Sequence, residues 1–206
     1  MNSTVRLQKL AFDVAFGVMG FSFAIAQTLM VRELLVSFAG NELSIGVVLG
    51  SWLLLEALGS ALLGRFWGRR HRVASYLALQ LLFAGLLLPV LYLAFGLRHL
   101  VGSVPGEGLG LRTILCTSFL LLIPLALVDG AMFTVGCRVA QRLLGAGVQA
   151  VGRVYLLEAT GSILGGLIFT FLFIPHLGAV RVALLLVVVN LASGLGLLWS
   201  EEEAIF

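Results

Sequence analysis

Charge is what this sequence has least of. Only 11% of its 206 residues are Asp, Glu, Lys or Arg, against 60% hydrophobic, and the mean hydropathy is +1.11. Soluble domains carry about a quarter charged residues, so this composition excludes a soluble globular chain and requires a lipid bilayer as solvent. Cysteine and histidine are almost as scarce. Cys116 and Cys137 sit at opposite ends of one apolar segment, about 30 Å apart along a helix, which excludes a disulfide between them. His71, His99 and His176 fall in predicted loops, so no spanning helix offers a ligand set for haem or metal, and no cofactor is expected. A Walker motif, a zinc-binding spacing and a Ser-His-Asp set are also missing. Short alternating strands are absent too, which rules out a barrel and leaves an all-α bundle.

What the chain does have is continuous apolar sequence. Six segments of spanning length can be marked at about residues 10–31, 43–63, 74–96, 113–136, 154–175 and 179–199. They form one integral membrane domain over residues 1–206. Arg6, Lys9, Arg65, Arg69, Arg70, Arg72, Arg138, Arg142 and Arg153 fall on one side of the predicted spans, and only Arg32, Arg98, Arg112 and Arg181 on the other. The positive-inside bias predicts a multi-pass protein of the inner (plasma) membrane with both termini cytoplasmic. The sequence pI near 9.3 follows from this topology and is not read as nucleic-acid binding. Ala24-Ile25-Ala26 has the form of a signal-peptidase site, but Asp13 interrupts the apolar stretch before it and hydrophobicity continues beyond it. The acidic Glu201-Glu202-Glu203 end reads as a solvated tail or the start of a linker.

Two stretches are nearly the same. Leu54 to Gly64 reads LLEALGSALLG and Leu156 to Gly166 reads LLEATGSILGG, eight of eleven positions identical at an offset of 102. The same offset places Gln27 opposite Asp129 and Met30 opposite Met132. Three spans per copy is an odd number, so the second copy enters the membrane from the opposite side. The expected architecture is two inverted three-helix repeats, about 10–96 and 113–199. Small residues four apart, Gly46 and Gly50, Ser60 and Gly64, Gly161 and Gly165, Ser162 and Gly166, are expected to let backbones approach closely. Gly59, Ser60, Gly161 and Ser162 lie three and four residues after Glu56 and Glu158, so each glutamate is expected on the packed face.

Four acids fall within or just inside spans: Asp13, Glu56, Asp129 and Glu158. No Lys or Arg lies deep in any span. Glu56 and Asp129 are each nine residues before an arginine, Arg65 and Arg138, about 13 Å from the cytoplasmic end and close to the midplane. Glu158 is shallower, and Asp13 is expected to snorkel. A carboxyl group at such depth stays protonated, or ionises when a cation or water reaches it. A neutral acid bonded to a neighbouring helix is the alternative for any one of them, and recurrence in the repeat favours function for Glu56 and Glu158.

The loop Gly64-Arg65-Phe66-Trp67-Gly68-Arg69-Arg70 resembles the basic turn between the second and third helices of major facilitator superfamily transporters. Arg65, Gly68, Arg69 and Arg70 match that pattern, while its Asp position is Gly64 and one residue is extra. A closer resemblance covers almost the whole chain. It is carried by Gly20-Phe21, Gln27, Val31-Arg32-Glu33-Leu34-Leu35, Phe38-Ala39-Gly40-Asn41-Glu42-Leu43, Val151-Gly152-Arg153-Val154-Tyr155, Gly161 to Gly166 and Ile174-Pro175. These segments resemble the membrane domain of spermidine-synthase-like proteins, described as fused major facilitator and spermidine synthase proteins, with Gly152-Arg153-Val154-Tyr155 the most specific part. In that family a soluble aminopropyltransferase-like domain follows the membrane region. The 206 residues contain no strand-turn-helix with a Gly-rich nucleotide loop, so aminopropyl transfer is not expected of this polypeptide.

The resemblance implies half of a major facilitator transporter, and a lone half predicts a homodimer, a second membrane chain or a missing C-terminal continuation; a soluble synthase-like partner is expected as a further possible companion. Three functions follow as expectations. The first is a module that binds or moves a small cationic, polyamine-like solute or protons through Glu56, Asp129 and Glu158, with Gln27 as a polar partner. The second is a non-catalytic anchor or assembly subunit. The third, a membrane enzyme with carboxylates as acid and base, lacks a recognisable polar catalytic set.

Overall fold

In the computed structural model the described residues, 3–40, 42–68, 73–101, 109–145 and 147–202, are helical apart from short turns. The elements are α1 (Ser3–Ser37), α2 (Glu42–Leu58), a π turn (Gly59–Leu63) leading directly into α3 (Gly64–Gly68), α4 (Val73–Val101), α5 (Leu111–Leu144), α6 (Val148–Ile168), a second π turn (Phe169–Phe173) leading into α7 (Ile174–His176), and α8 (Ala179–Glu202). They make six helices long and apolar enough to cross a membrane: Gln8–Ser37, Glu42–Phe66, Val73–Val101, Leu111–Leu144, Val148–His176 and Ala179–Ser200. Each is longer than the hydropathic segment that predicted it, because residues flanking the apolar run, many of them polar or charged, remain helical.

The end of α1 shows how such an overrun stops. The helix continues through Arg32 and Glu33 to Ser37, then Ala39 (φ 61°) and Gly40 (φ 76°) turn left-handed. The amide of Gly40 bonds the Leu35 carbonyl at 3.0 Å and that of Ala39 the Val36 carbonyl at 3.3 Å, a Schellman stop. Arg98, near the end of α4, donates from Nε to the Ser37 carbonyl (2.8 Å) and from Nη2 to the Val36 carbonyl (2.6 Å). A long basic side chain thereby donates to the last carbonyls of α1, Ser37's and, beside the Ala39 amide, Val36's.

The core lies where α1, α4 and α5 meet, among Phe16, Met19, Phe23, Tyr76, Phe83, Leu125 and Met132. Phe16 meets Tyr76 edge-on at 5.6 Å between centroids, and Phe23 meets Phe83 at 4.7 Å. Coverage is uneven. In the most apolar stretch of each span, 56% of α1 residues are buried but only 28% on α2 and 17% on α6, so those two helices present most of their surface outward.

The packing pairs fall into matching sets. α1 packs most extensively on α6, and α2 on α5; α4 packs on α5, and α8 on α1; α5 meets α6, and α1 meets α2. The pair α1 and α4 has no comparably extensive counterpart in α5 and α8. At the two largest crossings the helices run parallel and touch backbone to backbone. A Cβ on Gly130 of α5 would overlap the Glu56 carbonyl oxygen of α2, and a Cβ on Gly20 of α1 would overlap the Glu158 carbonyl oxygen of α6. Gly59 and Gly161 close the same crossings against Leu127 and Gly17, so only glycine permits these approaches. The expected small pair Gly46 and Gly50 meets no neighbour, and neither does Gly166; they lie on the sparsely covered outer faces.

Candidate functional site

Asp129 is the buried centre of the polar interior. It sits on α5 with 5% of its surface exposed, one residue before the glycine that receives Glu56. Its Oδ2 accepts a hydrogen bond from the Trp52 indole Nε1–H of α2 at 3.1 Å. Trp52 is itself buried and lies one helical turn before Glu56, so the close crossing that seats the Glu56 backbone also carries the indole to Asp129. A buried acid needs such a donor, because hydrocarbon supplies none.

Glu56 and Glu158 are each half-buried, and neither carboxyl group has a hydrogen-bond partner among the described residues. The three acids Glu56, Asp129 and Glu158, carried by α2, α5 and α6, lie within electrostatic range of one another. The Tyr76 hydroxyl and the Cys137 thiol lie within range of Glu158 as well. No three His, Cys, Asp or Glu side chains among the described residues converge tightly enough to hold a metal ion.

The serines of the repeated motif tie the crossings. Ser60 Oγ and Thr134 Oγ1 share a hydrogen bond of 2.6 Å between the π turn and α5. Ser162 Oγ donates to the Gly20 carbonyl at 3.1 Å between α6 and α1. With Gly59 and Gly161 at the contact points, all four motif residues act at the crossings.

Other expected residues stand apart. Gln27 is partly buried on α1 and makes no hydrogen bond with the acids. Arg153 is engaged with Asp13 in a bidentate pair between α6 and α1, Nε to Oδ1 at 2.9 Å and Nη2 to Oδ2. Asp13 therefore does not snorkel alone, because the parallel crossing brings the start of α6 beside it. Tyr155 points outward with 65% exposure, and Arg65 is exposed on α3. Arg69 and Arg70 lie outside the described residues.

Three features escaped the sequence reading. Trp52 was visible only as one more apolar residue, although its position one turn before Glu56 was a signal. Arg98 caps a helix remote in sequence. Gln80, Asn190 and Ser22 form a polar cluster linking α4, α8 and α1, for which two amides inside apolar spans were the available clue. No protein-family model, curated protein or solved structure matches the chain.

Proposed function

We propose that this chain is a membrane module that binds or translocates a small cationic, polyamine-like solute or protons through Glu56, Asp129 and Glu158. One observation carries the reading: three acids from three different helices share one region inside the spans, and no basic side chain forms an ion pair with any of them among the described residues. Uncompensated carboxyl groups at this depth are costly, and a visiting cation or proton relieves that cost. Trp52 holds Asp129 in place, while Glu56 and Glu158, half-exposed and unbonded, are the groups an entering solute meets first.

The reading includes an inverted repeat, with both termini on the cytoplasmic side as the arginine distribution indicates. The mirrored packing pairs and the two glycine–glutamate crossings support it. So does the buried contact between Gln80 and Asn190, 110 positions apart, the same spacing that relates Gly20 to Gly130. The sparsely covered α2 and α6, bearing the half-exposed glutamates, support a second copy or a second membrane chain as the missing cover.

Reconstituted protein in proteoliposomes tests the proposal with two probes, labelled spermidine and an internal pH dye. Glu56→Gln combined with Glu158→Gln should abolish spermidine accumulation or proton flux, and Asp129→Asn should do the same. Flux unchanged in both variants overturns it.

The anchor reading draws on one observation, an open recess of mixed polarity at the α5–α6 turn lined by Leu144, Gly145, Gln149 and Arg153. Co-purification of a soluble synthase-like partner that survives the Gln substitutions would favour it.

A further inference from the structure

The cluster where α1, α4 and α8 meet is incomplete as drawn by its own side chains. Ser22 and Gln80 are 0% exposed and Asn190 1%. Asn190 uses both amide hydrogens, donating from Nδ2 to Ser22 Oγ and to the Leu186 carbonyl, each at 2.8 Å. Its Oδ1 receives only a long contact of 3.4 Å from Gln80 Nε2. Gln80 Oε1 is buried with no hydrogen-bond partner among the described residues. Flipping the Gln80 amide does not help, since it would set two acceptor oxygens against each other.

Beside that bare oxygen α8 places a glycine. A Cβ built on Gly194 would lie 3.8 Å from Gln80 Oε1 and 3.5 Å from Leu77 Cδ2, ordinary contact distances. The absent side chain leaves a notch next to an acceptor that has no donor. Gln80 Oε1 needs a hydrogen, and Asn190 Oδ1, which accepts only the long 3.4 Å bond, has capacity for a second, so the occupant must be small and a donor. The three side chains are neutral, and none of them bonds a charged group among the described residues. A bare cation would exchange a full hydration shell for two amide oxygens, and an apolar group would leave Gln80 Oε1 unmet.

We propose that the Gly194 notch holds a bound water molecule that donates to Gln80 Oε1 and Asn190 Oδ1 and completes a hydrated joint between α1, α4 and α8. Internal waters occur at such sites, polar, roomy and with at least two partners. Water as a small tether also explains why α8 carries glycine on a buried face where alanine would fit and would favour the helix. This site is separate from the acids and does not depend on the transport proposal.

Solid-state NMR of protein labelled with 15N-glutamine in bilayers provides the test, with the Gln80 signal identified by its loss in Gln80→Leu. Water protons should transfer polarisation to the Gln80 side-chain amide in the native chain, although the residue is inaccessible from outside. Gly194→Ala should abolish that transfer and lower the unfolding temperature, because the methyl fills the notch and leaves Oε1 bare. Gly194→Ser should abolish it as well but restore the unfolding temperature, its hydroxyl replacing one donor. Absence of transfer in the native chain overturns the proposal. So does transfer undiminished in Gly194→Ala, or a raised unfolding temperature in Gly194→Ala, the result expected if helix propensity alone operated there.

Discussion

The two large crossings, α1 with α6 and α2 with α5, solve one packing problem with the same parts and then diverge. Each sets a glutamate carbonyl against a glycine of the parallel helix, and each adds a serine hydroxyl from the motif. Beyond that, α2 and α5 add interior chemistry, the Trp52–Asp129 bond and the Ser60–Thr134 bond. α1 and α6 add a partly exposed ion pair near their starts, Asp13 with Arg153. The difference teaches that close approach is the shared requirement, while the polar fittings are local. The buried fittings matter most to the proposed function, because they fix the acid that lies deepest.

Equivalence of the crossings is tested first by filling them. Gly130→Ala and Gly20→Ala should each destabilise the detergent-solubilised protein by about 3 kcal/mol or prevent folding, since neither backbone can withdraw without separating its pair. Thermal unfolding measures both, and a large effect at only one position would break the comparison. Next in size, Trp52→Phe keeps an aromatic ring but removes the one donor to Asp129 among the described residues, at a cost of about 1–3 kcal/mol. The double variant Trp52→Phe, Asp129→Leu should recover most of that loss, and a full additive loss in the cycle would show that the indole acts by packing alone. Ser60→Ala and Ser162→Ala should cost about 0.6 kcal/mol each; a clear inequality would sharpen the distinction between the crossings. Arg153→Gln should have the smallest effect, below about 1 kcal/mol, and the native pair should weaken with added salt, because the arginine is 48% exposed.

The apolar runs were legible because hydropathy is a property of each segment by itself, and the six spans stand close to where the sequence puts them. Their ends were not legible, since Arg32 and Glu33 look like a boundary and only the left-handed pair Ala39 and Gly40, with Arg98 reaching from α4, determines the stop. Glu56, Asp129 and Glu158 stand out in sequence as acids in apolar surroundings. Their company does not: Trp52 meets Asp129 across 77 positions, and no local pattern encodes that meeting. The offset of 102 found the repeated glutamate motif. The crossing glycines Gly20 and Gly130, and the amides Gln80 and Asn190, follow a spacing of 110 instead, hidden because only a few of their neighbours are alike.

The π turn at Gly59–Leu63 has a mechanical result. A helix wound more loosely there rotates less per residue, so positions four apart stop drifting around the axis and fall into line. Ser60 and Gly64 thus both lie beneath Thr134, and the seam with α5 continues straight past the glutamate. Removing one residue from that turn would tighten the winding and swing Gly64 off the seam. Arg65 and Phe66 would then be carried round to a different side of the bundle, so the phase of the basic segment after the second span is set by the five residues of this turn, anchored by the buried Gly59.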